Sequence, residues 1–196
     1  MLPQAVKKLF DPQQIKHVGA MREKYFSTGD MREITGVRKE IKMGWQLSYT
    51  AGFGEISPDK PVVTDLAQRQ RKNQSLIDVA KPYMKRLYAF FGQRSFWITL
   101  LDAEGVVVKL VGSHEMLSEL ASTGLVEGSY RGEDAPYCGL FYLVYRLKRP
   151  FILVSTEHAS PIDDKLAGAA SPITDVQTGD VLGFLAISGH WWDSHG

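Results

Sequence analysis

The chain has one cysteine in 196 residues, Cys138, which excludes an internal disulfide framework and any site built from several thiolates. Long apolar runs are missing as well. None approaches the ~20 residues that span a bilayer, and the opening MLPQAVKKLFDPQQ is too poor in apolar residues for a signal peptide, so no membrane contact and a cytoplasmic location are expected. Charge of one sign is also lacking: 23 basic against 22 acidic residues leave +1, so no overall field draws the chain to nucleic acid or an anionic surface. The basic run Gln68–Lys72 has no interleaved aromatics and reads as a solvated helix face, not a direct nucleic-acid contact. The five histidines show no ligand spacing, and neither a GxxxxGK[ST] phosphate loop nor a serine-histidine-acid order is present. No metal, no cofactor and no enzymatic activity are expected.

What is present is 44% hydrophobic residues, enough to bury one sizeable core with an appendage. The clearest unit is Leu166–Gly189, in which apolar runs Leu166–Thr174 and Val181–Ser188 are separated by Asp175-Val176-Gln177-Thr178-Gly179-Asp180. Asp and Gly supply the local hydrogen bonds and positive φ of a chain reversal, so this is a hairpin. Its nearly continuous apolar runs place it centrally in a covered sheet, and Gly168, Gly183 and Gly189 mark bulges or close approaches of other groups.

The N-terminal third reads as helical. Asp11-Pro12 starts a helix that Gly29-Asp30 stops, and Val37, Ile41, Trp45 and Ser48 mark a second that ends at Ala51-Gly52. Residues 65–91 predict one long helix, kinked at Pro82, with a broad apolar face from Leu76 to Phe91. A second hairpin follows, Ser95–Asp102 and Val106–Gly112 about Gly105, then a short helix over Ser113–Ala121. The polar loop Ser122–Gly139 is too long for an ordinary connection and reads as a lid. Leu140–Leu147, apolar and aromatic, fits either helix or strand, with a helix crossing the sheet favoured, and Phe151–Ser155 reads as a strand. The fold class is α+β, a mostly antiparallel sheet with helices on its faces; residues 1–63 form an N-terminal helical extension and 64–196 the sheet domain.

LLDAEGVVVKLVG, the glycine-rich loop, Arg149-Pro150, Glu157-His158, Ser171-Pro172-Ile173, Thr178-Gly179 and Leu182-Gly183…Ile187-Ser188-Gly189 follow one another along the chain. In that order they resemble the GAF sensor domain of sigma-54-dependent transcriptional activators of the acetoin-catabolism regulator type. Val37-Arg38-Lys39-Glu40-Ile41…Trp45…Ser48 and Gln70-Arg71-Lys72-Asn73…Ala80-Lys81-Pro82 resemble the helices leading into it, so the likeness covers about residues 36 to 190. The resemblance implies a GAF-like antiparallel sheet and a regulatory domain that binds a small-molecule effector between sheet and lid. It also implies a homodimer and relay to an output ATPase and DNA-binding region that this chain does not include. Where such proteins carry tryptophan-serine-glutamate and glycine-threonine-asparagine signatures and a cysteine, this chain has Arg131-Gly132-Glu133, Tyr137-Cys138-Gly139 and Gly168, which implies a re-tuned pocket.

The candidate ligand-binding residues are Trp97, Tyr130, Arg131, Glu133, Tyr137, Cys138, Tyr142, Glu157 and His158. Strand alternation puts Trp97 on one face with Thr99, as a pocket wall. The tyrosines can close over a small guest with a hydroxyl at the tip, and Arg131 can pair with a carboxylate. A carboxylate beside an imidazole at Glu157-His158 can hydrogen-bond a polar effector, or it can cap local backbone. The alternative function is a ligand-free dimerisation or structural module.

Overall fold

The computed structural model describes residues 4–52, 65–90, 95–132 and 139–190. In chain order the elements are α1 (Gln4–Leu9), α2 (Pro12–Thr28), α3 (Lys39–Thr50), α4 (Leu66–Lys72), α5 (Gln74–Phe90), β1 (Phe96–Asp102), β2 (Val107–Val111), α6 (His114–Ser122), α7 (Leu140–Leu147), β3 (Phe151–Val154), β4 (Leu166–Thr174) and β5 (Val181–His190). The strands form one antiparallel sheet in the order β2-β1-β5-β4-β3. The hairpin β4–β5 is therefore interior to the sheet, as its apolar composition predicts. Its turn is closed by the Asp175 carboxylate, which accepts from the N–H groups of Gln177 (2.7 Å) and Thr178 (3.0 Å), with Gly179 at φ 78°.

Local signals set several helix ends. Asp11 accepts from the N–H of Gln13 at 2.8 Å ahead of Pro12, and Gly29 takes the left-handed conformation (φ 68°) that ends α2. Ser113 caps α6 through the N–H of Met116 at 3.1 Å. The long helix expected over residues 65–91 is instead two helices, and the break falls at Asn73, not at Pro82. Tertiary contacts fix it: Arg69 is held by Asp102 (3.0 Å) and Glu104 (2.7 Å), and the Asn73 amide donates to the Arg69 carbonyl at 3.0 Å. The same Arg69 hydrogen bond, then Lys72, keeps the Glu104 carboxyl below its ordinary range. Pro82 sits on the exposed side of α5, where it removes one helical hydrogen bond without ending the helix.

The two faces of the sheet differ. On one, Ile77, Ala80 and Met84 of α5 pack on Ile98, Leu100 and Val108. On the other, α6 and α7 cover the sheet, and Trp97, Leu101, Val107 and Phe184 share a core with Leu140, Tyr142, Leu143 and Val144. That core also takes in Val18, Tyr25, Ile41 and Trp45, so α2 and α3 bury their apolar sides in the same interior as the strands.

Polar contacts fasten these helices beyond β3. Arg22 donates to the His158 carbonyl (3.1 Å) and grips Asp164 with both nitrogens, Nη2 to Oδ2 at 2.8 Å. The Thr156 hydroxyl donates to the Ile15 carbonyl at 2.7 Å, and the Trp45 indole to the Glu157 carbonyl at 3.0 Å.

Candidate functional site

The face of the sheet under α6 and α7 carries the candidate site. Register places Trp97 opposite Ser188 and Thr99 opposite Ala186, with Gly168 and Ala170 next across on β4. The two interior strands thus present Ala186, Ser188, Gly168 and Ala170, a block of small side chains beside the large Trp97. Leu140, at the start of α7, settles into part of this low ground. A Cβ at Gly168 would lie 2.6 Å from Leu140 Cδ2 and 2.5 Å from Ser188 Oγ, so glycine here admits the helix. On the other side α6 leans on Trp97: a Cβ at Gly112 would meet Leu117 Cδ2 at 3.3 Å and Trp97 Cβ at 3.4 Å.

Two polar atoms on this face lack a hydrogen-bond partner. Trp97 Nε1 and Thr99 Oγ1 are both buried, Thr99 at 0% exposure, and neither is paired. An unsatisfied buried donor or acceptor costs about 1–3 kcal/mol, and buried polar groups in folded proteins are nearly always paired. Two such atoms two residues apart on one face of an interior strand leave an indole N–H donor and a hydroxyl without partners.

The other candidates have different work. Glu157 is 8% exposed, and both its carboxylate oxygens are engaged: Oε1 accepts from Arg38 Nε at 2.8 Å, Oε2 from Arg38 Nη2 at 2.5 Å and from the Val154 N–H at 3.0 Å. His158 bonds through Nδ1 to the Ser155 carbonyl at 2.8 Å. The two residues lie where β3 meets the N-terminal helices, Glu157 bonded to Arg38 and His158 to local backbone. Arg38 also stacks over Phe151 at 4.6 Å and donates to the Ile152 carbonyl at 2.6 Å. It is the partner that sequence inspection missed, being 119 residues away from Glu157.

Arg131 is buried at 6% exposure, with Nη2 donating to the Gly124 carbonyl at 2.7 Å, and Tyr142 is buried in the main core. Tyr130 pairs with Val106 as an isolated bridge, and its ring lies against Gly132. The described start of the expected lid is hydrogen-bonded to the β1–β2 hairpin. The Val107 N–H donates to Ser129 (3.0 Å), the Gly128 N–H to Val107 (2.7 Å) and the Arg131 N–H to Gly105 (2.8 Å). Glu127 reinforces it by accepting from Lys109 (2.7 Å) and the Leu110 N–H (3.0 Å). Glu133, Tyr137 and Cys138 lie outside the described residues. Among the described residues no group of three or more His, Cys, Asp or Glu is placed to hold a metal ion, and no helix is long and apolar enough to cross a membrane.

No family model matches the chain. Among characterised proteins it is 26% identical over 155 residues to the acetoin dehydrogenase operon transcriptional activator AcoR of Bacillus subtilis (strain 168), a match covering 78% of this chain and 26% of that protein. It is 23% identical over 119 residues to a signal-transduction and transcriptional-control protein of Clostridium beijerinckii, covering 61% of this chain and 19% of that one. The chain thus spans about a quarter or less of the length of these relatives. In structure it resembles a chain in the crystal structure of the E. coli DhaR(N)–DhaL complex, with a TM-score of 0.70 and 16% identity over 80% of this chain and 53% of that one. The resemblance carried by the motif string, to transcriptional activators of the acetoin-regulator type, is therefore found across most of the chain, together with the α+β fold and five-stranded antiparallel sheet that it implies.

Proposed function

We propose that this chain is the effector-sensing region of a transcriptional regulator, and that a small oxygen-bearing molecule is held on the α6/α7 face of the sheet by Trp97 and Thr99. The observation that carries the reading is the pair of buried, unpaired polar atoms on that face. A guest that satisfied them would recover the cost of both. Transmission has a short route. β1 carries Trp97 and Thr99 on one face, and Ile98 and Leu100 on the other, where they touch α5. A ligand that shifts β1 by a fraction of an ångström repacks Ile77, Ala80 and Met84, and α5 passes the change to an output partner or domain. Such coupling requires the ligand to favour one of two arrangements.

The role is regulatory and not catalytic, in keeping with relatives named for transcriptional control. The ligand-free structural module remains the second reading, favoured by the burial of Tyr142 in the core. Thermal unfolding with a panel of small carbonyl, diol and aromatic metabolites separates the two. Acetoin comes first, because one relative is named for the acetoin dehydrogenase operon. A binder at ~100 times its dissociation constant adds about 2.7 kcal/mol. A panel without any shift would favour the structural module.

A further inference from the structure

Helix α5 covers only part of its face of the sheet. Ile77, Ala80 and Met84 pack on Ile98, Leu100 and Val108, over β1 and β2, while Val79 and Tyr83 of the same helix stand in solvent. Across the rest of that face the register sets Ile98, Ile187, Ala169 and Ile152 side by side on β1, β5, β4 and β3. This row forms the floor of an open groove of about 640 Å³, whose walls include Leu87 of α5 and Val6 and Leu9 of α1. Ala169, the small residue in the middle, deepens it, and Ile187, Ala169 and Ile152 are only half-buried. Three inter-strand spacings make the row about 14 Å long, the reach of a saturated chain of about ten carbons. Charged side chains gather at one end: Arg38, Glu40 and Arg149 bound the groove where it meets β3.

We propose that the groove binds an aliphatic monocarboxylate, its chain along the row from Ile98 to Ile152 and its head group on Arg149. The acids at the β3 end are already covered and paired. Glu40 accepts from Arg149 Nη2 at 2.6 Å with 13% of its side chain exposed, and Glu157, at 8%, holds Arg38. Arg149 is the open group. Its side chain is 52% exposed, and among the described residues its guanidinium makes one hydrogen bond, from Nη2, which leaves Nε and Nη1 as donors. The spare capacity at this end is thus positively charged N–H, which a carboxylate matches and an ammonium or a second donor does not. Charge confined to one end of about 14 Å of apolar floor fits a chain with a single anionic terminus, not a compact polar metabolite. The groove lies on the face opposite Trp97 and Thr99, so this site is separate from the effector site proposed above.

The test is isothermal titration calorimetry of the whole chain with hexanoate, octanoate and decanoate, each below its micellar concentration, and with decanol as the uncharged control. One equivalent of decanoate is expected to bind, with affinity rising about two- to fourfold per methylene along the series and decanol binding weaker by roughly tenfold or more. Ala169→Phe, which fills the floor of the groove, is expected to abolish binding with an unchanged circular dichroism spectrum. Arg149→Met is expected to lower decanoate affinity by roughly tenfold or more and to leave decanol unaffected. No binding of any carboxylate, equal binding of decanol and decanoate by the wild type, uptake of several equivalents, or full binding by Ala169→Phe overturns the proposal. Should Arg149→Met fail to fold, Ala169→Phe and the decanol comparison still decide.

Discussion

Replacing Arg38 with alanine is expected to cost about 3–5 kcal/mol of stability, because it leaves the Glu157 carboxylate buried without its counter-charge. Glu157 is 8% exposed, and among the described residues its carboxylate has one other bond, from the Val154 N–H at 3.0 Å. Its desolvation is tolerable only while the Arg38 guanidinium supplies two donors, at 2.8 and 2.5 Å. The same change strips the Ile152 carbonyl of a donor and Phe151 of its stacked cation. The double variant Arg38→Met/Glu157→Gln is expected to recover part of the loss, since neither residue then buries a charge. Urea unfolding measures both, read as a fall in midpoint at constant slope. If Arg38→Ala lowered stability by less than about 1 kcal/mol, Glu157 would be accessible to solvent or ligand, and its reading as a structural anchor would be wrong.

Trp45→Ala is the second large effect, expected at about 3–5 kcal/mol. The ring is 1% exposed, lies in the core that α2 and α3 share with the sheet, and holds the Glu157 carbonyl through its indole N–H. Trp45→Phe keeps most of the packing and gives up the hydrogen bond, for a cost of about 1–3 kcal/mol. Because the N-terminal helices have no core of their own, both variants should unfold in one transition, earlier than the wild type. An early transition that released only α2 and α3 would show that residues 1–63 fold as a separate unit.

Much of this architecture could be read from local chemistry. Asp11-Pro12, Gly29 and Ser113 fix helix ends by capping, and Asp175 with Gly179 fixes the hairpin turn, each through contacts within a few residues. What escaped was set at long range. The break at Asn73 depends on Arg69 reaching Asp102 and Glu104 on another element. The partners of Glu157-His158, Arg38 and Arg22, come from the N-terminal helices more than a hundred residues away. The breadth of the α5 apolar face was legible, but its division into a buried and an exposed stripe was not, because only the packed sheet shows which side it covers. Trp97 and Thr99 could be paired by strand alternation, whereas the absence of a hydrogen-bond partner for either is a property of the folded interior.

The most direct test of the sensor reading is the thermal stability of Thr99→Val against wild type, each alone and with the panel compound that shifts the wild type most. Valine removes a buried hydroxyl that has no partner, so the variant alone is expected to gain about 1 kcal/mol, and the shift produced by the compound should largely vanish. A variant that is less stable than wild type and still responds in full to the compound would show that the hydroxyl is already satisfied and that the ligand, if any, binds elsewhere.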